Sequence, residues 1–457
     1  MRDIYLINYA VKGIKTLDEW AELSFYKKTI SKNFNIRKYN IKGIYGSNGA
    51  GKSGLITSVR ILKNLMINPS YLNNPLIQKQ ISALVNKKLG SLSFKTDYLV
   101  QIDTGLQLYH YEIVLKSNEK GTLYIKSECL FCRPATSHNG KQTRLFEVED
   151  GIITSLHQKN ETSSDQLSQI LIDQTKNLLT ESSLCSLFVS RILLKKYRQR
   201  SQEALEQGLI LLYLFGHSLF VYLDSEDEHS DFFMYDMLTR AHLSGKDEDI
   251  DSLIKHRIRI ENYSFQMLTP GRNTVSKTDY TAFEKQVHQL RDFLRIFKHD
   301  LKDIIIDRRI DKEVYLCDLI MDYGDYSINS EFESTGIKKL IRLFTFFKKM
   351  VEGEIVFIDE LDSNLHDVYL CALLEYLMEY GEGQLCFTTH NIGPMDILKQ
   401  NKKSIDFLSI DHKIYSWTAS GHYSPSKLYR HGMIEGSPFN VDSIDFISVF
   451  ETDEEEN

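Results

Sequence analysis

Residues 46–53 read GSNGAGKS, and this stretch decides the fold. It fits the pattern of a glycine, four residues and then Gly-Lys-Ser, and it lies between the apolar run IKGIYG and the helical stretch LITSVRILKNLM. The glycines Gly46, Gly49 and Gly51 leave backbone N–H groups free to surround a phosphate, and the start of the helix adds partial positive charge. This context predicts a phosphate-binding loop between a strand and a helix.

The remaining residues of the loop suit a nucleoside triphosphate. Lys52 can neutralise charge on the β- and γ-phosphates, and Ser53 can offer its hydroxyl to Mg²⁺, the hard cation that accompanies such nucleotides. Ser47, Asn48 and Ala50 complete the predicted loop.

A second stretch, EIVFIDE at 354–360, places two carboxylates at the end of an apolar run. A buried parallel strand delivers such residues to the carboxyl edge of its sheet, where ligands bind in α/β folds. We expect Asp359 to hold Mg²⁺ through water and Glu360 to act as the general base or to orient the attacking water, because in-line hydrolysis needs a positioned nucleophile.

Two further features accompany these motifs. His390 ends the next apolar run, QLCFTTH, where its imidazole could hydrogen-bond the γ-phosphate, although a histidine at the end of a strand is more often structural. The run ESTG precedes the helical stretch IKKLIRLFTFFKKM, so Ser334 can cap that helix and Gly336 permits close backbone approach. Capping alone would also explain Ser334.

Charge limits the kind of partner. The 457 residues include 55 Lys and Arg against 62 Asp and Glu, a net charge of −7, which excludes a uniformly basic nucleic-acid coat. Contact with DNA or RNA therefore requires a local patch. Such patches are offered by Arg191, Lys195, Lys196, Arg198 and Arg200, and by Lys255, His256, Arg257 and Arg259. A solvated helix face is the more common explanation of the first cluster, and the second is equally ambiguous.

The compartment is predicted to be the cytoplasm. The N-terminus lacks the apolar stretch of a secretory signal, and the six cysteines show no disulfide spacing. Cys129 and Cys132 form one C-x-x-C, but a zinc site needs four ligands and no second pair follows. Leu130 and Phe131 between them, with apolar residues upstream, indicate a strand instead. The longest apolar run, residues 209–223, is too short to span a bilayer and predicts a buried helix.

The chain alternates between two patterns. Up to about residue 156 it reads as antiparallel strands separated by turns, and after residue 300 strands and helices alternate as in a parallel sheet. Between them the spacing is helical, clearest in an apolar stripe from residue 283 to residue 297, with an exposed loop expected at 269–279. The stripe consists of Phe283, Val287, Leu290, Leu294 and Phe297.

Taken in order, GSNGAGKS, ESTG, VFIDELD and TTH resemble the ABC-type ATPase heads of the SMC, RecF and OLD-nuclease groups. Within that superfamily the chain is more similar to bacterial AAA-type ATPases of phage-defence and abortive-infection systems, over roughly 1–155 and 300–410. The resemblance implies an α/β fold: an ABC-type P-loop ATPase head, with a mixed sheet and an antiparallel β subdomain, interrupted by an α-helical insertion. The implied divisions are 1–156 and 300–430 for the two parts of the head, 157–299 for the insertion, and 431–457 for a C-terminal extension with an acidic tail.

The resemblance also implies ATP as the nucleotide and an ATP sandwich, in which two heads dimerise across the nucleotide. Ser334 and Gly336 would then act in trans on ATP held by the partner's loop. Asp362 would resemble the D-loop residue that communicates across the dimer. His390 would be the switch histidine. His366 fits the SLH-type position of these ATPases. ESTG departs from the transporter consensus LSGGQ, so transport is not implied, and Gln101 and Gln107 are the candidates for the Q-loop.

These features leave three functional hypotheses. The first is an ATPase sensor or regulator that controls a separately encoded effector, as in two-gene defence systems such as PARIS, where an ATPase is paired with a Toprim nuclease. The stretch after His390 is expected to be too short for a Toprim domain of its own. The alternatives are a RecF- or SMC-like DNA-maintenance ATPase, and an ATP-dependent scaffold that barely turns over.

Overall fold

The computed structural model describes residues 4–26, 29–30, 34–102, 105–136, 142–157, 164–193, 204–224, 267–311, 314–401, 403–418 and 424–437. The basic clusters beyond Arg191 and the acidic tail lie outside these residues, and Arg191 is described only in its backbone.

A seven-stranded antiparallel sheet dominates the first third of the chain. Its strand order is β2-β1-β4-β5-β6-β7-β8. The strands are β1 (Ile4–Lys12), β2 (Ala21–Ser24), β4 (Ser91–Ile102), β5 (Gly105–Ser117), β6 (Leu123–Pro134), β7 (Thr143–Glu149) and β8 (Ile152–Leu156). Buried and partly exposed residues alternate along most of β4, as expected for a sheet with one face on the core. Cys129 and Cys132 lie within β6, in agreement with the predicted strand.

The second sheet has six strands in the order β17-β16-β3-β15-β14-β9, all parallel except β17. The strands are β3 (Ile41–Tyr45), β9 (Leu219–Tyr222), β14 (Ile355–Ile358), β15 (Gln384–Thr388), β16 (Ile405–Leu408) and β17 (Ile414–Ser416). Every residue of β3, β14, β15 and β16 is buried, which explains the apolar runs of β14 and β15. Lys42 of β3 and Asp406 of β16 are buried as an ion pair, 2.6 Å apart.

Helices cover both faces of the parallel sheet. The α-helices are α1 (Lys52–Ile67), α2 (Pro75–Leu84), α3 (Ser164–Thr175), α4 (Leu184–Leu187), α5 (Ala204–Ser218), α6 (Tyr280–Phe297), α7 (Thr335–Val351), α8 (Asp367–Tyr380), α9 (Met395–Leu398) and α10 (Pro425–Arg430). Short 3₁₀ turns at Ile36–Tyr39 and Ser330–Phe332 and a π-helical segment at Phe188–Leu193 complete the described elements.

Two hydrophobic cores meet at the parallel sheet. Ile355 and Phe357 pack into a core with α1, α5 and the antiparallel sheet, while Val356 and Ile358 pack into a second core with α7 and α8. The two sheets are also joined by the buried side chain of Gln384, whose amide exchanges two 2.8 Å hydrogen bonds with the backbone of Leu6. The predicted fold class, a mixed α/β architecture with a large antiparallel sheet, is confirmed.

A small third sheet carries α6 and leads into α7. Its order is β10-β12-β11, and β13 also pairs with β12; the strands are β10 (Asn273–Ser276), β11 (Asp303–Asp311), β12 (Val314–Asp322) and β13 (Ser327–Asn329). The predicted stripe on α6 is buried against this sheet, with Phe297 at its end only partly buried.

Two local predictions were wrong. The run 209–223 is not one helix, because α5 ends at Ser218 and Leu219–Tyr222 forms β9, whose aromatic and β-branched residues suit a sheet. The expected loop at 269–279 contains β10, with Asn273 and Val275 buried. The range 157–299, predicted as a helical insertion, thus contributes strands to two sheets. No helix in the described ranges is long and apolar enough to cross a membrane.

Candidate functional site

The loop 46–51 leaves the carboxyl end of β3 and enters α1, as its sequence predicts. Gly49 and Gly51 have φ values of +79° and +109°, which only glycine adopts readily. A Cβ on Gly46 would lie 2.4 Å from the carbonyl oxygen of Leu408, so β16 approaches this loop too closely for any side chain. Within the loop Ala50 is buried, Ser47 is half-buried and Asn48 is exposed.

Lys52 is the charged centre of the loop. Its side chain is only 7% exposed, and its ammonium donates hydrogen bonds to the carbonyl oxygens of Gly46 at 2.7 Å and Ser47 at 3.1 Å. Burial lowers the pKa of Lys52, while the negative charges of Asp359 and Glu360 act in the opposite direction. The fold therefore brings the acids of β14 into the electrostatic neighbourhood of the loop lysine.

Asp359 and Glu360 are joined by Thr388 at the end of β15. The Thr388 hydroxyl donates to Asp359 Oδ1 at 2.6 Å and accepts from the backbone N–H of Glu360 at 2.8 Å. Asp359 is 5% exposed, whereas Glu360 is half-buried and so reaches the surface of the site. Glu360 has a φ of +49°, a left-handed conformation that is strained for a residue with a side chain.

Asp362 organises the loop that carries His390. One carboxylate oxygen of Asp362 accepts from the backbone N–H groups of His390 at 3.3 Å and Asn391 at 3.1 Å, within the same chain. Its other oxygen, Oδ1, is buried without a hydrogen-bond partner in the described structure. The His390 side chain is exposed at this edge. The charge of Asp362 also acts on Lys52, so these predicted residues lie in one region.

Ser334 and Gly336 begin α7 on an exposed corner. The Ser334 hydroxyl caps the helix by accepting from the backbone of Ile337 at 3.4 Å, as its position predicts. A Cβ on Gly336 would lie 2.7 Å from the carbonyl oxygen of Asn364, so this glycine permits the turn after Glu360 to approach α7. In the described parts of the chain, neither residue hydrogen-bonds to the loop 46–53. Ser334 and Thr335 are exposed at the helix start, and Gly336 is half-buried.

A buried ionic cluster behind Glu360 was not anticipated from the sequence. Lys339 on α7 donates to the Glu360 carbonyl oxygen at 2.6 Å, to Asp224 at 3.2 Å and to the hydroxyl of Ser363. Asp224 lies two residues after β9, much as Asp359 directly follows β14, so its place after the apolar run LFVYL was the available signal. A lysine inside the apolar stripe of an amphipathic helix was the signal for Lys339.

The helix α10 supports the loop from the other side. Burial raises the pKa of Tyr429 to about 12, and the neighbouring backbone of Gly46 acts in the opposite direction, so this tyrosine lies against the loop. Its ring stacks on Phe407 of β16 with centroids 5.5 Å apart. Gly46 and Tyr429 are nearly four hundred positions apart in the sequence, so no local pattern predicts that they lie together.

The other residues predicted from the sequence either lie in the antiparallel sheet or make hydrogen bonds within their own element. Gln101 and Gln107 lie on β4 and β5 of the antiparallel sheet, and Gln101 bonds to the neighbouring carbonyl of Ile102. His366 caps α8 by accepting from the backbone of Val368. Ser53 is half-buried on the first turn of α1, where its carbonyl oxygen accepts from Thr57.

The donor set fits a nucleoside triphosphate with Mg²⁺. A buried ammonium that bonds only to carbonyl oxygens of its own loop can turn to phosphate oxygens, and the buried hydroxyl of Ser47 has no partner in the described structure. Ser53 and Asp359 supply the hard oxygen ligands that Mg²⁺ accepts alongside phosphates. No group of three or more His, Cys, Asp or Glu side chains suited to a metal ion occurs among the residues described.

Comparison with known proteins gives one family match. Residues 206–396 match the family described as AAA domain, putative AbiEii toxin, Type IV TA system. This segment is similar to an AAA-type ATPase domain. The matched segment contains β9, α7, β14 and β15, whereas the phosphate loop at 46–53 precedes it. The parallel sheet joins the loop to the matched segment, because β3 pairs with β15.

The chain is also similar to a solved structure titled "Structure of the recombination mediator protein RecF-ATPrS in RecFOR pathway". The sequence identity is 12%, the TM-score is 0.38, and the match covers 91% of this chain and 99% of that chain. A comparison with curated proteins finds no match.

Replacement of Gly51 should test the strain in the loop. We expect Gly51→Ala to lower the free energy of unfolding by about 1–3 kcal/mol, because its φ of +109° is unfavourable for alanine and the new Cβ would lie 2.6 Å from Leu17. Gly54→Ala is the control, since its Cβ would meet nothing closer than 3.4 Å and a helical alanine stabilises by about 0.5–1 kcal/mol. Urea denaturation measures both; equal stability of the two variants would contradict the described loop.

Proposed function

We propose that this protein binds ATP with Mg²⁺ at residues 46–53 and hydrolyses it. The observation that carries the proposal is the buried Lys52 ammonium in a glycine loop, acted on by the charges of Asp359 and Glu360. A fixed cation faced by a strand-ending pair of acids is the arrangement that phosphoryl transfer requires, because catalysis there consists of positioning and charge stabilisation.

Each residue has a proposed task in this reaction. The backbone of residues 46–51 and the Lys52 ammonium bind the phosphates, and Ser53 and Asp359 hold Mg²⁺, which supplies charge neutralisation when bound. Glu360 orients the attacking water and accepts its proton. His390 stands at the exposed edge of the same site, where its imidazole can hydrogen-bond a phosphate oxygen.

We also propose that two copies of the chain close around ATP. The exposed start of α7 supports this arrangement, because Ser334 and Gly336 present a helix N-terminus to the outside, where an anion is stabilised. Asp362 shapes the turn beside α7 and the loop of His390 within one chain, so it is placed to report closure of the dimer to its own site.

We infer that the ATPase regulates a separately encoded effector, a nuclease or a toxin, in bacterial antiphage defence. The description of the matching family refers to a putative AbiEii toxin and a type IV TA system, which supports this role. The alternative is a RecF- or SMC-like ATPase of DNA maintenance; the net charge of −7 weighs against extensive DNA contact.

Glu360→Gln tests hydrolysis directly. We expect ATP binding to persist and turnover to fall by about 100-fold or more, because an amide cannot accept the proton of the attacking water. Isothermal titration with ATP and Mg²⁺ measures binding, and phosphate release measures turnover.

The matched control is Glu379→Gln, which changes an exposed glutamate on α8 and should leave turnover unchanged. Lys52→Ala should abolish binding, since it removes the ammonium of the loop. Wild-type turnover in Glu360→Gln would remove Glu360 from the mechanism, and absence of ATP binding by the wild-type protein would refute the proposed function.

Ser334→Arg tests the proposed sandwich. Introduced into Glu360→Gln, where slow hydrolysis should trap the closed dimer, it should prevent dimerisation while each subunit still binds ATP, because a long side chain blocks the start of α7. Light scattering with ATP and Mg²⁺ measures the mass. Ser70→Arg is the control, because Ser70 is exposed beyond the far end of α1, about 24 Å along the helix from the loop. A dimer that survives Ser334→Arg would contradict the trans role.

Affinity purification from native cells tests the biological role. We expect a second protein of nuclease or toxin type to co-purify with the Glu360→Gln variant in ATP and to be lost from Lys52→Ala, because the regulator would hold its effector in one nucleotide state. Mass spectrometry identifies the protein, and a nuclease-treated sample shows whether nucleic acid bridges it. Bound DNA without a second protein would instead support the alternative.

A further inference from the structure

Lys339 is a buried cation among the apolar residues of α7 that face the core. Its side chain is 2% exposed, and its ammonium contacts three oxygens: the backbone carbonyl of Glu360 at 2.6 Å, the carboxylate of Asp224 at 3.2 Å and the hydroxyl of Ser363. Ser363 also donates to Asp224 at 2.6 Å. A lysine that loses its water of hydration at such a place is costly unless every donor is used, so the cluster fixes its geometry closely.

The charges within this cluster are balanced. Burial lowers the pKa of Lys339, whereas the charge of Asp224 opposes that change. Burial by itself would raise the pKa of Asp224, but hydrogen bonding by Ser363 and the charge of Lys339 bring it below its ordinary value. The lowered pKa of Asp224 favours its carboxylate, and the charge of that carboxylate partly offsets the effect of burial on the Lys339 ammonium.

The cluster acts on the residue with the strained backbone. Glu360 has a φ of +49°, and such a conformation persists only where its surroundings hold it. Its N–H is held by Thr388, and its carbonyl oxygen is held by Lys339 and by the backbone N–H of Ser363 at 3.1 Å. Ser363 belongs to the same turn as Glu360, whereas Lys339 belongs to α7 and therefore holds the Glu360 carbonyl oxygen from a separate element.

We propose that Lys339, whose charge is paired with that of Asp224, is a positioning residue that holds the Glu360 backbone in its left-handed conformation. It thereby couples the start of α7 to the orientation of Glu360 during hydrolysis. The inference rests on the proposed role of Glu360. Lys339 lies one helical turn after Gly336, so movement of the exposed start of α7 moves the donor on the Glu360 carbonyl. In a sandwich of two copies, the start of α7 faces the partner's ATP while Lys339 holds Glu360 of its own site. The two sites are then coupled through one turn of helix.

Lys339→Met keeps the length of the side chain and removes its charge and donors. We expect kcat to fall by about 10-fold or more while the Kd for ATP stays within about twofold, because the loop 46–53 is untouched and the orientation of Glu360 is lost. Lys349→Met is the matched control, since Lys349 is buried on the same helix and pairs with Glu352 near its far end. The control should retain wild-type kcat.

A double-mutant cycle separates positioning from general destabilisation. If Lys339 acts through Glu360, Lys339→Met should slow the residual turnover of Glu360→Gln by less than about twofold, because the group that it positions is already absent. A loss of the same factor in both backgrounds would overturn the proposal.

Asp224→Asn provides a second variant in case Lys339→Met does not fold, as checked by its thermal melting. It keeps the side-chain volume and should give the same pattern, a reduced kcat with an unchanged Kd for ATP. If wild-type protein turns over ATP and both folded variants match it, the coupling is wrong and the proposed function stands. If wild-type protein binds ATP but shows no turnover under any condition, both the coupling and the proposed hydrolysis are refuted.

Discussion

The burial of the Lys52 ammonium against its own loop is the constraint on which the rest of the site depends. A charged group can remain at 7% exposure only where acceptors surround it, and here the acceptors are the carbonyl oxygens of Gly46 and Ser47 together with the field of nearby acids. That field exists because Asp359 and Glu360 directly follow β14, which lies two strands away from β3 with β15 between them. Because β3, β15 and β14 are parallel, their carboxyl ends lie at the same edge of the sheet.

Strain at Glu360 is the second feature of functional interest. A left-handed backbone at a residue with a side chain costs about 1–3 kcal/mol, and the surroundings offset it with hydrogen bonds to both of its backbone groups. Thr388 connects this backbone to Asp359, and Lys339 connects it to α7. Glu360, proposed to orient the attacking water, is therefore linked both to Asp359, proposed to hold the metal ion, and to the helix proposed to meet a partner.

The proposed coupling between α7 and the site would give the proposed regulator a physical means of response. If ATP held by one subunit engages the start of α7 in the other, the same turn carries Lys339 and its bond to the Glu360 carbonyl. Hydrolysis would then require a correctly closed dimer. A regulator benefits from such a condition, because the lifetime of the closed state, and with it the state of an effector, depends on assembly.

The sequence by itself determined the elements whose signals are local: the glycine loop before α1, the apolar runs of β14 and β15, the Ser334 cap of α7 and the stripe of α6, because turn chemistry and periodicity act over a few residues. It misjudged Leu219–Tyr222 and Asn273–Ser276, since short strands are defined by partners far away. Only the tertiary structure decided that Lys339 meets Asp224 and Glu360, and that Tyr429 supports Gly46. Those contacts depend on how whole helices pack on the sheet, and no spacing within a segment encodes them.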